Sequence, residues 1–485
     1  MNITTRPVVR FAPAPTGMMH LGNVRTALMN YLFAQKNQGI FVLRIEDTDA
    51  QRNYDPHAEY ILEDLAWLGI SYDEGPKKEG NRGPYFQSQR IALYAEKLAT
   101  LIEKKAVYRC FCSAELLEKK RKRQLALKQP PHYDRACMTL SDADNKKLLE
   151  AHTPFIWRFI LDTSKTVSFL DMAHGNMSFE LKFFSDVPLT RQDGSFTFIF
   201  ANAVDDITMG ISHIFRGEDH LTNTATQIAL FDAFGVPHAT YWHMPILCNI
   251  EGKKLSKRDF GFSLRDLKAS GYLPEAIGNY LAIIGSSFIQ EIMDYQELIK
   301  TYNFGHLSTT GHIKYDTEKL RWMNHKWMER LSLDDFVERC RPLIYAAYER
   351  STSCPEPIFR TLLQHTKPEI KTLQECVTAL QFYWEYIPPT PESFESIEQQ
   401  YRTPLITSIT QHLLTLENDP DMFVESVKKD AKKNTVPLQQ LFTTLRLMIM
   451  GHPHGPGIKE LIQLLGIPES KKRLELGLQT LGTME

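Results

Sequence analysis

The residues near the N-terminus that are best suited to chemistry are His20 and Gly22, in the stretch Arg10–Asn23. This stretch predicts a short strand, a tight turn at Pro13–Gly17 and a helix, because apolar residues recur with helical spacing from Asn23 onward. The N-terminus of a helix offers unpaired N–H groups and the positive end of its dipole to an anion. A glycine there lets a ligand approach the backbone, and a histidine can donate a hydrogen bond to a phosphate oxygen. The stretch therefore predicts a phosphate-binding corner, with an ordinary histidine-capped helix as the alternative.

A second segment suited to chemistry is the basic run Lys254-Leu-Ser-Lys-Arg258. Lysines on a loop can neutralise the charge that grows on phosphate oxygens in a transition state. Taken alone, a charge run is more typical of a solvated surface. Ser256 and the flexible lysines also suit a mobile loop that closes on a nucleotide.

The chain between these two segments alternates strands and helices. Phe41–Ile45 has the pattern of a buried strand, and helical periodicity follows it. This β-α-β-α order predicts a parallel, doubly wound sheet, in which ligands bind at the carboxyl ends of the strands. From Val107 the pattern changes to two near cysteines, a basic helix and short β-rich pieces, which indicates an insertion. The α/β pattern resumes at Phe198–Asp206 and Ile214–Phe234, and beyond Tyr272 the sequence is mainly helical.

Composition limits the class of protein. A chain of 485 residues is long enough for several domains with their own cores. Its 56 basic and 58 acidic side chains nearly balance, so any nucleic-acid partner must be held by local basic surface. Seven scattered cysteines argue against a disulfide framework and predict a cytoplasmic location. The N-terminus lacks the pattern of a secretory signal, and no stretch is long and apolar enough to span a bilayer, so no membrane partner is expected.

The corner His20-Leu-Gly-Asn23 resembles the HIGH signature of class I aminoacyl-tRNA synthetases, and Lys254–Arg258 resembles their KMSKS loop. Motifs along nearly the whole chain are similar to those of one family in that class, the bacterial-type glutamyl-tRNA synthetases. These motifs are Arg10–Asn23, Arg44–Asp49, Trp67–Gly75, Tyr108–Cys112, Asp205-Asp206, Arg216–His220, Leu320–Asn324 and His454–Pro456.

The resemblance implies a fold of several parts. It consists of an α/β Rossmann-type catalytic domain, an inserted α+β acceptor-binding domain, a stem-contact region and an all-α C-terminal anticodon-binding domain. The expected boundaries are 1–105 and 197–250 for the two halves of the Rossmann domain, 106–196 for the insertion, 251–335 for the stem-contact region with the lysine loop, and 336–485 for the anticodon-binding domain.

The resemblance also implies a two-step reaction. ATP, with Mg²⁺, activates glutamate to glutamyl-adenylate, and the glutamyl group then moves to the 3′ end of the glutamate tRNA, tRNA(Glu). The enzyme is expected to act as a monomer. The implied catalytic residues are His20, Gly22, Asn23, Lys254, Ser256 and Lys257. The implied ATP-binding residues are His20, Gly22, Asp219, Leu247 and Lys257.

An acidic amino acid needs a basic pocket, and arginine binds a planar carboxylate best. The resemblance implies that glutamate is bound by Arg10, Ala12, Ala14, Glu46, Phe198, Asn202, Asp206 and Arg216. The family usually has Ser in place of Ala14 and Tyr in place of Phe198, so two hydroxyls are missing, each worth about 1 kcal/mol as a hydrogen bond. The alternatives are a strand-end salt bridge for Arg10 and Glu46, and a helix or turn cap for Asp206.

Cys110, Cys112 and Cys137 are similar to the zinc ligands in the inserted domain of some family members. Structural zinc takes four ligands. The position of a histidine ligand in that version is Thr139 here, whereas Tyr133 matches a tyrosine ligand in related glutamyl-queuosine-type enzymes. The sequence leaves two possibilities open, a zinc site or three buried free thiols.

The motifs are compatible with more than one tRNA specificity. The enzyme could be a relaxed version that charges the glutamine tRNA, tRNA(Gln), as well. A non-catalytic RNA-binding paralogue is a less favoured reading, because the histidine, glycine and lysines of the two motifs are intact. The basic run Lys119–Arg123 could contact the acceptor arm of a tRNA, or it could simply form a solvated helix face.

Overall fold

The computed structural model describes residues 6–15, 17–48, 55, 57–256, 259–304 and 312–484. The chain divides into two compact units. The first consists of Met1–Asp266 and Ile277–Thr317, and the second of Leu267–Ala276 and Glu318–Glu485. Among the described residues, none of the helices combines the length and the apolar character needed to cross a membrane.

The strands of the described residues lie in the first unit. In chain order they are β1 (Val8–Phe11), β2 (Ile40–Leu43), β3 (Val107–Cys110), β4 (Ile156–Phe159), β5 (Thr166–Asp171), β6 (Gly175–Glu180), β7 (Val187–Pro188), β8 (His213–Gly217), β9 (Thr240–Met244), β10 (Leu247–Cys248) and β11 (Ile313–Lys314).

The helices follow the same order along the chain. They are α1 (Leu21–Lys36), α2 (Glu59–Trp67), α3 (Ile91–Glu103), α4 (Ala114–Ala126), α5 (Asp142–Glu150), α6 (Phe198–Thr208), α7 (Leu221–Phe234), α8 (Leu264–Ala269), α9 (Pro274–Ile283), α10 (Tyr295–Thr301), α11 (Thr317–Arg330), α12 (Leu333–Ala347), α13 (Glu356–Thr366), α14 (Glu375–Ala379), α15 (Gln381–Trp384), α16 (Gln399–Asn418), α17 (Pro420–Lys433), α18 (Leu438–Met450), α19 (Ile458–Leu465) and α20 (Ile467–Gly482).

The main sheet has six strands in the order β2-β1-β8-β9-β5-β6. Its strands run parallel except for the antiparallel hairpin β5–β6. β1 is buried along its whole length and packs beside α1, as expected for a parallel sheet covered by helices on both faces. This arrangement confirms the predicted α/β fold, and it brings the carboxyl ends of β1, β8, β9 and β5 to one edge.

The predicted insertion, 106–196, holds two different structures. β3, β4 and β7 form a separate antiparallel sheet of three strands. The hairpin β5–β6, however, belongs to the main sheet, where Asp171 pairs with Tyr241 of β9. β5 joins that core because Val167, Phe169 and Asp171 alternate as buried residues along it. The main sheet therefore includes two strands, β5 and β6, that lie within the expected insertion.

The second unit is helical, as predicted from its periodicity. α16 packs against α17 and α20, and α18 packs against α20. α16 has an apolar stripe that is buried at Leu405, Ile409 and Leu416. The expected stem-contact region, 251–335, is divided between the two units, since α11 lies mainly in the second.

Candidate active site

The phosphate-binding corner has the predicted form of strand, turn and helix. α1 begins directly after His20, whose Nδ1 accepts a hydrogen bond from the backbone N–H of Asn23 at 3.3 Å. Burial, with help from the charge of Lys254, lowers the pKa of His20. The imidazole is therefore neutral at pH 7, and because Nδ1 accepts, Nε2 carries the proton. The histidine is thus a helix cap and, at the same time, a potential hydrogen-bond donor to a ligand.

The glycine of this corner leaves room for its histidine. A Cβ atom added at Gly22 would lie 3.0 Å from Cε1 and Nδ1 of His20, closer than ordinary van der Waals contact. Any larger residue at this position would push against the imidazole that caps the helix. The spacing histidine–x–glycine therefore has a local steric cause in this chain.

The first residues of the lysine loop are held by β10 and by the turn that follows β8. Leu255 N donates to Leu247 O at 3.0 Å, and Lys254 Nζ forms an ion pair with Asp219 Oδ2 at 3.1 Å. Ser256 points into the loop instead, since its N and Oγ both donate to Asp259 Oδ2 at 2.8 and 2.9 Å. Lys257 and Arg258 lie outside the described residues.

A cavity of about 500 Å³ opens at the carboxyl ends of β1 and β8. Most of the predicted site residues line it: Arg10, Ala12, Ala14, His20, Gly22, Asn23, Glu46, Phe198, Asn202, Arg216, Asp219, Leu247 and Lys254. Asp206 and Ser256 are not part of its wall. The wall also contains residues that the sequence did not single out: Phe11, Pro13, Leu21, Arg25, Thr26, Phe215, Gly217, His220, Met244, Pro245, Ile246, Leu255 and Phe262.

Asp206 lies behind the cavity wall, where both of its carboxylate oxygens are engaged. Its Oδ1 accepts from Arg44 NH1 at 2.7 Å and from Arg10 Nε at 3.1 Å, and its Oδ2 accepts from Arg10 NH2 at 3.3 Å. Burial alone would raise the pKa of Asp206, but the two arginines outweigh burial and lower it. Because Asp206 lies within α6, it is neither the predicted wall residue nor the helix or turn cap considered as the alternative.

Arg44 is the centre of a buried ionic cluster. It contacts three carboxylates, Asp206, Asp205 at 3.6 Å and Glu46 at 3.3 Å. Arg90 Nε pairs with Asp205 at 2.6 Å. Burial alone would lower the pKa of Arg44, but the three carboxylates outweigh burial and raise it. With Arg10, the cluster contains three arginines and three carboxylates, so its charges balance.

Arg216 is surrounded very differently. Its Nε donates to His243 Nε2 at 3.1 Å, its NH1 to Gln227 Oε1 at 2.6 Å and its NH2 to Thr224 Oγ1 at 2.6 Å. The guanidinium also lies 5.3 Å from the ring centroid of Tyr241. None of these described partners is acidic, and burial lowers the pKa of Arg216 to about 10. It therefore remains a buried cation on the cavity wall without a carboxylate partner among the described residues.

A chain of hydrogen bonds joins the two arginine sites around this end of the cavity. Gln227 Nε2 donates to Asn202 Oδ1 at 3.0 Å, and Asn202 Nδ2 donates to Glu46 Oε1 at 2.6 Å. Burial raises the pKa of Glu46, although Arg44, Arg10 and the bond from Asn202 oppose that shift. Oε1 of Glu46 is shared by two donors, which leaves Oε2 with no described partner on the wall of the cavity.

Sequence reasoning missed the buried residues that bond to the wall residues on the side away from the cavity. Arg44 stands in one of the motifs that carry the resemblance, but no role was predicted for it. Thr224 and Gln227 are buried polar residues three positions apart on the apolar helix α7, a signal that could have identified them. His243 and Asp171 lie on strands distant in sequence, and only the strand order brings them beside Arg216.

The three predicted cysteine ligands come together at the carboxyl end of β3. The sulfur atoms of Cys110, Cys112 and Cys137 lie within 4.8 Å of one another, with 3.6 Å between those of Cys112 and Cys137. The hydroxyl of Tyr133 lies 3.2 Å from Cys110 Sγ and 3.7 Å from Cys112 Sγ. Tetrahedral zinc with Zn–S bonds of about 2.3 Å places its sulfur ligands about 3.8 Å apart, so the donor set fits this metal. Thr139 is exposed and bonds to Ala136 O instead.

Comparison with known proteins agrees with this geometry. The profile "tRNA synthetases class I (E and Q), catalytic domain" matches residues 7–322, and an anticodon binding domain profile matches residues 335–478. A glutamate–tRNA ligase of Bacillus pumilus is 36% identical over 468 residues, which cover 94% of this chain and 96% of that protein. One from Finegoldia magna is 34% identical and covers 97% and 99%, respectively.

A solved structure gives the same result. The crystal structure of a glutamate tRNA ligase from Elizabethkingia meningosepticum, in complex with its amino acid, superimposes with a TM-score of 0.84 at 29% identity. The match covers 98% of this chain and 100% of that one. Because the catalytic-domain profile spans most of the chain and both relatives align with nearly all of it, this chain belongs to the glutamate–tRNA ligase family of class I tRNA synthetases.

Proposed function

We propose that this chain activates glutamate with ATP and transfers the glutamyl group to the 3′ end of tRNA(Glu). The observation that carries the choice of amino acid is Arg216, a buried cation on the cavity wall whose described partners are all neutral. A buried charge is costly unless it is paired, so this site favours an anionic ligand. The side-chain carboxylate of glutamate supplies that charge and matches the planar guanidinium.

The other groups at this end of the cavity are proposed to hold the rest of the amino acid. Oε2 of Glu46 accepts the substrate ammonium, and Asn202 keeps Glu46 in place through Oε1. Arg10 lines the cavity while Nε and NH2 donate to Asp206 and NH1 donates to Phe215 O at 3.3 Å, so the second N–H of each terminal nitrogen can donate to a substrate carboxylate. Ala12, Ala14 and Phe198 shape the wall without adding a hydroxyl.

The opposite end of the cavity is proposed to bind ATP. The α-carboxylate oxygen of glutamate attacks the α-phosphorus, and pyrophosphate leaves. Nε2 of His20, Gly22 and the side chain of Asn23 are proposed to contact the nucleotide together with the backbone of Leu247, and Asp219 lies on the same wall. Lys254 and Lys257 offset the negative charge that grows on the phosphates and the leaving group, and Ser256 holds the loop between them through Asp259. Mg²⁺ bound to the triphosphate contributes further positive charge.

The ribose hydroxyl at the 3′ end of the tRNA then attacks the activated carbonyl carbon, and AMP leaves. The anticodon-binding profile of the second unit supports tRNA as the acceptor. Zinc, held by Cys110, Cys112, Cys137 and Tyr133, would connect the carboxyl end of β3 to the segment that follows α4.

The test is ATP–pyrophosphate exchange with the full chain, with and without tRNA(Glu). We expect exchange with glutamate in the presence of tRNA(Glu) and at most weak exchange with glutamine or aspartate. No exchange with glutamate under these conditions would contradict the proposal. A parallel charging assay with tRNA(Gln) determines whether the enzyme discriminates between the two tRNAs.

Metal analysis tests the zinc site separately. Protein purified without chelators is expected to contain one zinc per chain, and the Cys137→Ser variant is expected to lose it. The Cys354→Ser variant is the matched control, because Cys354 lies outside the cluster in the second unit. Equal metal content in all three proteins would contradict the proposed ligand set.

A further inference from the structure

Three side chains lie in a row across the carboxyl ends of β8, β9 and β5. Arg216 of β8 is the direct neighbour of His243 on β9, and Asp171 is the last residue of β5, on the other side of β9. All three are buried. The proposed function uses only Arg216, so the other two are buried ionisable groups that still need an explanation.

Asp171 is held as a carboxylate. Its Oδ2 accepts from the backbone N of His243 at 3.0 Å and lies 2.7 Å from His243 Nδ1. Its Oδ1 accepts from the backbone N–H groups of Ala173 and His174, each at 2.9 Å. Burial alone would raise the pKa of Asp171, but the hydrogen bonds from His243 and His174 outweigh burial and hold it at about 2. An ionised carboxylate can only accept, so His243 Nδ1 must be the donor.

This bond selects the tautomer of His243. Burial lowers the pKa of His243 to about 4, so the ring is neutral and has a single proton, which lies on Nδ1. Nε2 then presents its lone pair to Arg216 Nε, 3.1 Å away. Thr224 Oγ1 lies 3.0 Å from the same nitrogen and accepts from Arg216 NH2 at 2.6 Å. The guanidinium plane is thus fixed by acceptors that carry no charge.

We propose that His243 and Asp171 are positioning residues for amino-acid selection, because they fix the orientation of Arg216 without neutralising it. A carboxylate bonded directly to Arg216 would compete with the carboxylate of the substrate. The neutral imidazole lies between Asp171 and Arg216, so the carboxylate does not bond to the guanidinium directly. The inference rests on the proposed function, in which the ligand of Arg216 is the side-chain carboxylate of glutamate.

Two substitutions of His243 separate this role from simple packing. The amide oxygen of His243→Gln can occupy the place of Nε2 and accept from Arg216. The shorter His243→Asn can keep a donor near Nδ1 for Asp171, but it offers no acceptor at the position of Nε2. Both variants remove the imidazole from the same buried position. If His243 only fills space, both should change the kcat, the KM for glutamate and the KM for ATP alike.

We expect His243→Asn to raise the KM for glutamate by roughly tenfold to a hundredfold, the effect of losing one hydrogen bond to a charged group. The kcat at saturating glutamate and the KM for ATP should stay within about twofold of wild type, because the nucleotide end is untouched. His243→Gln should recover most of the loss. Asp171→Asn, which also lets His243 adopt the other tautomer, should raise the KM for glutamate in the same direction.

His213→Asn is the control, since His213 is a buried histidine at the other end of β8. It should leave the KM for glutamate unchanged. Thr224→Val removes another acceptor of Arg216, the hydroxyl on α7. It should also raise the KM for glutamate, and it tests the inference if His243→Asn does not fold.

Three results would overturn the inference. The first is an equal effect of His243→Asn and His243→Gln on the KM for glutamate, and the second is a rise in the KM for ATP as large as that for glutamate. The third is an unchanged KM for glutamate in the folded variants. These outcomes are distinct from a failure of the proposed function, which would appear as wild-type protein without glutamate-dependent exchange.

Discussion

Two arginine sites at one end of the cavity have opposite electrostatic surroundings. Arg44, with Arg10 and Arg90, is paired with Asp205, Asp206 and Glu46 in the buried ionic cluster. Arg216 is equally buried, but it donates to an imidazole, an amide and a hydroxyl. The first site is neutral as a whole, whereas the second retains a full positive charge.

The difference indicates which charges support the structure and which remain for a ligand. Breaking a buried pair leaves an uncompensated charge behind, so the ionic cluster should resist substitution strongly. A buried cation without a partner destabilises the free protein, and that cost is relieved when an anion binds. Burial alone therefore does not show whether an arginine has positive charge left for a ligand; the charges of its partners do.

The largest expected effect is on stability, from Arg44→Met. Removing this arginine leaves three buried carboxylates with too few cations, which should lower the free energy of unfolding by about 3–5 kcal/mol. Urea denaturation of the full chain measures it. A loss below about 1 kcal/mol would show that the cluster is not a stabilising network.

Arg216→Met should have the opposite pattern. The kcat/KM for glutamate should fall at least a hundredfold, or about 3 kcal/mol, because a charged partner of the substrate is lost. The free energy of unfolding should change by no more than about 1 kcal/mol, since removing an uncompensated buried cation offsets the lost hydrogen bonds. Steady-state exchange kinetics and urea denaturation on the same preparations test both parts. A large loss of stability with unchanged kinetics would reverse the roles assigned to the two sites.

The neutral shell of Arg216 also predicts a dependence of stability on pH. Burial lowers the pKa of His243 to about 4 from its ordinary 6.5. The unfolded chain therefore binds a proton near pH 6.5 and the folded chain only near pH 4, so stability is lost as the pH falls between these values. The contribution of His243 is at most about 3 kcal/mol.

Substitution of His243 checks the cause of this dependence. The free energy of unfolding of His243→Gln should decline less steeply from pH 6.5 to 4 than that of wild type. His213, whose pKa is also lowered to about 4 by burial, contributes a similar slope, which should persist in this variant. Parallel slopes in the two proteins would show that His243 is not buried as a neutral ring.

Much of this site could be predicted from local pattern, because the phosphate-binding corner is one continuous stretch. Helical periodicity located α1, and motif resemblance identified Arg10, His20, Glu46 and Arg216, which lie on the cavity wall. These features depend on residues close together in sequence or on short motifs. Sequence reasoning alone was sufficient for them.

The partners behind the wall could not be predicted in this way. Asp206 was expected to face glutamate, but it pairs with Arg10, 196 positions away in sequence, and with Arg44. Asp171 reaches His243 only because β5 adds to the main sheet beside β9, 72 residues later in the chain. No local periodicity encodes such strand pairing. The charge state of a pocket depends on these distant partners as much as on its wall residues.

The smallest expected effect comes from restoring a missing hydroxyl with Phe198→Tyr. Phe198 lines the cavity and is partly exposed, so the added group stays hydrated in the free protein and need not disturb the fold. When glutamate excludes that water, one further neutral hydrogen bond should lower the KM for glutamate by about fivefold, or about 1 kcal/mol. Phe183→Tyr, on the exposed surface, is the control and should change nothing.

The size of this effect sharpens the contrast between the charge of Arg216 and its neutral surroundings. Arg216→Met and Phe198→Tyr both act on the amino acid end of the cavity, but only the first changes its charge. If Phe198→Tyr lowered the KM for glutamate a hundredfold, a neutral hydroxyl would equal the guanidinium in selecting the substrate. A change near fivefold would instead mean that this chain can do without the hydroxyl because an uncompensated arginine already dominates recognition of the anion.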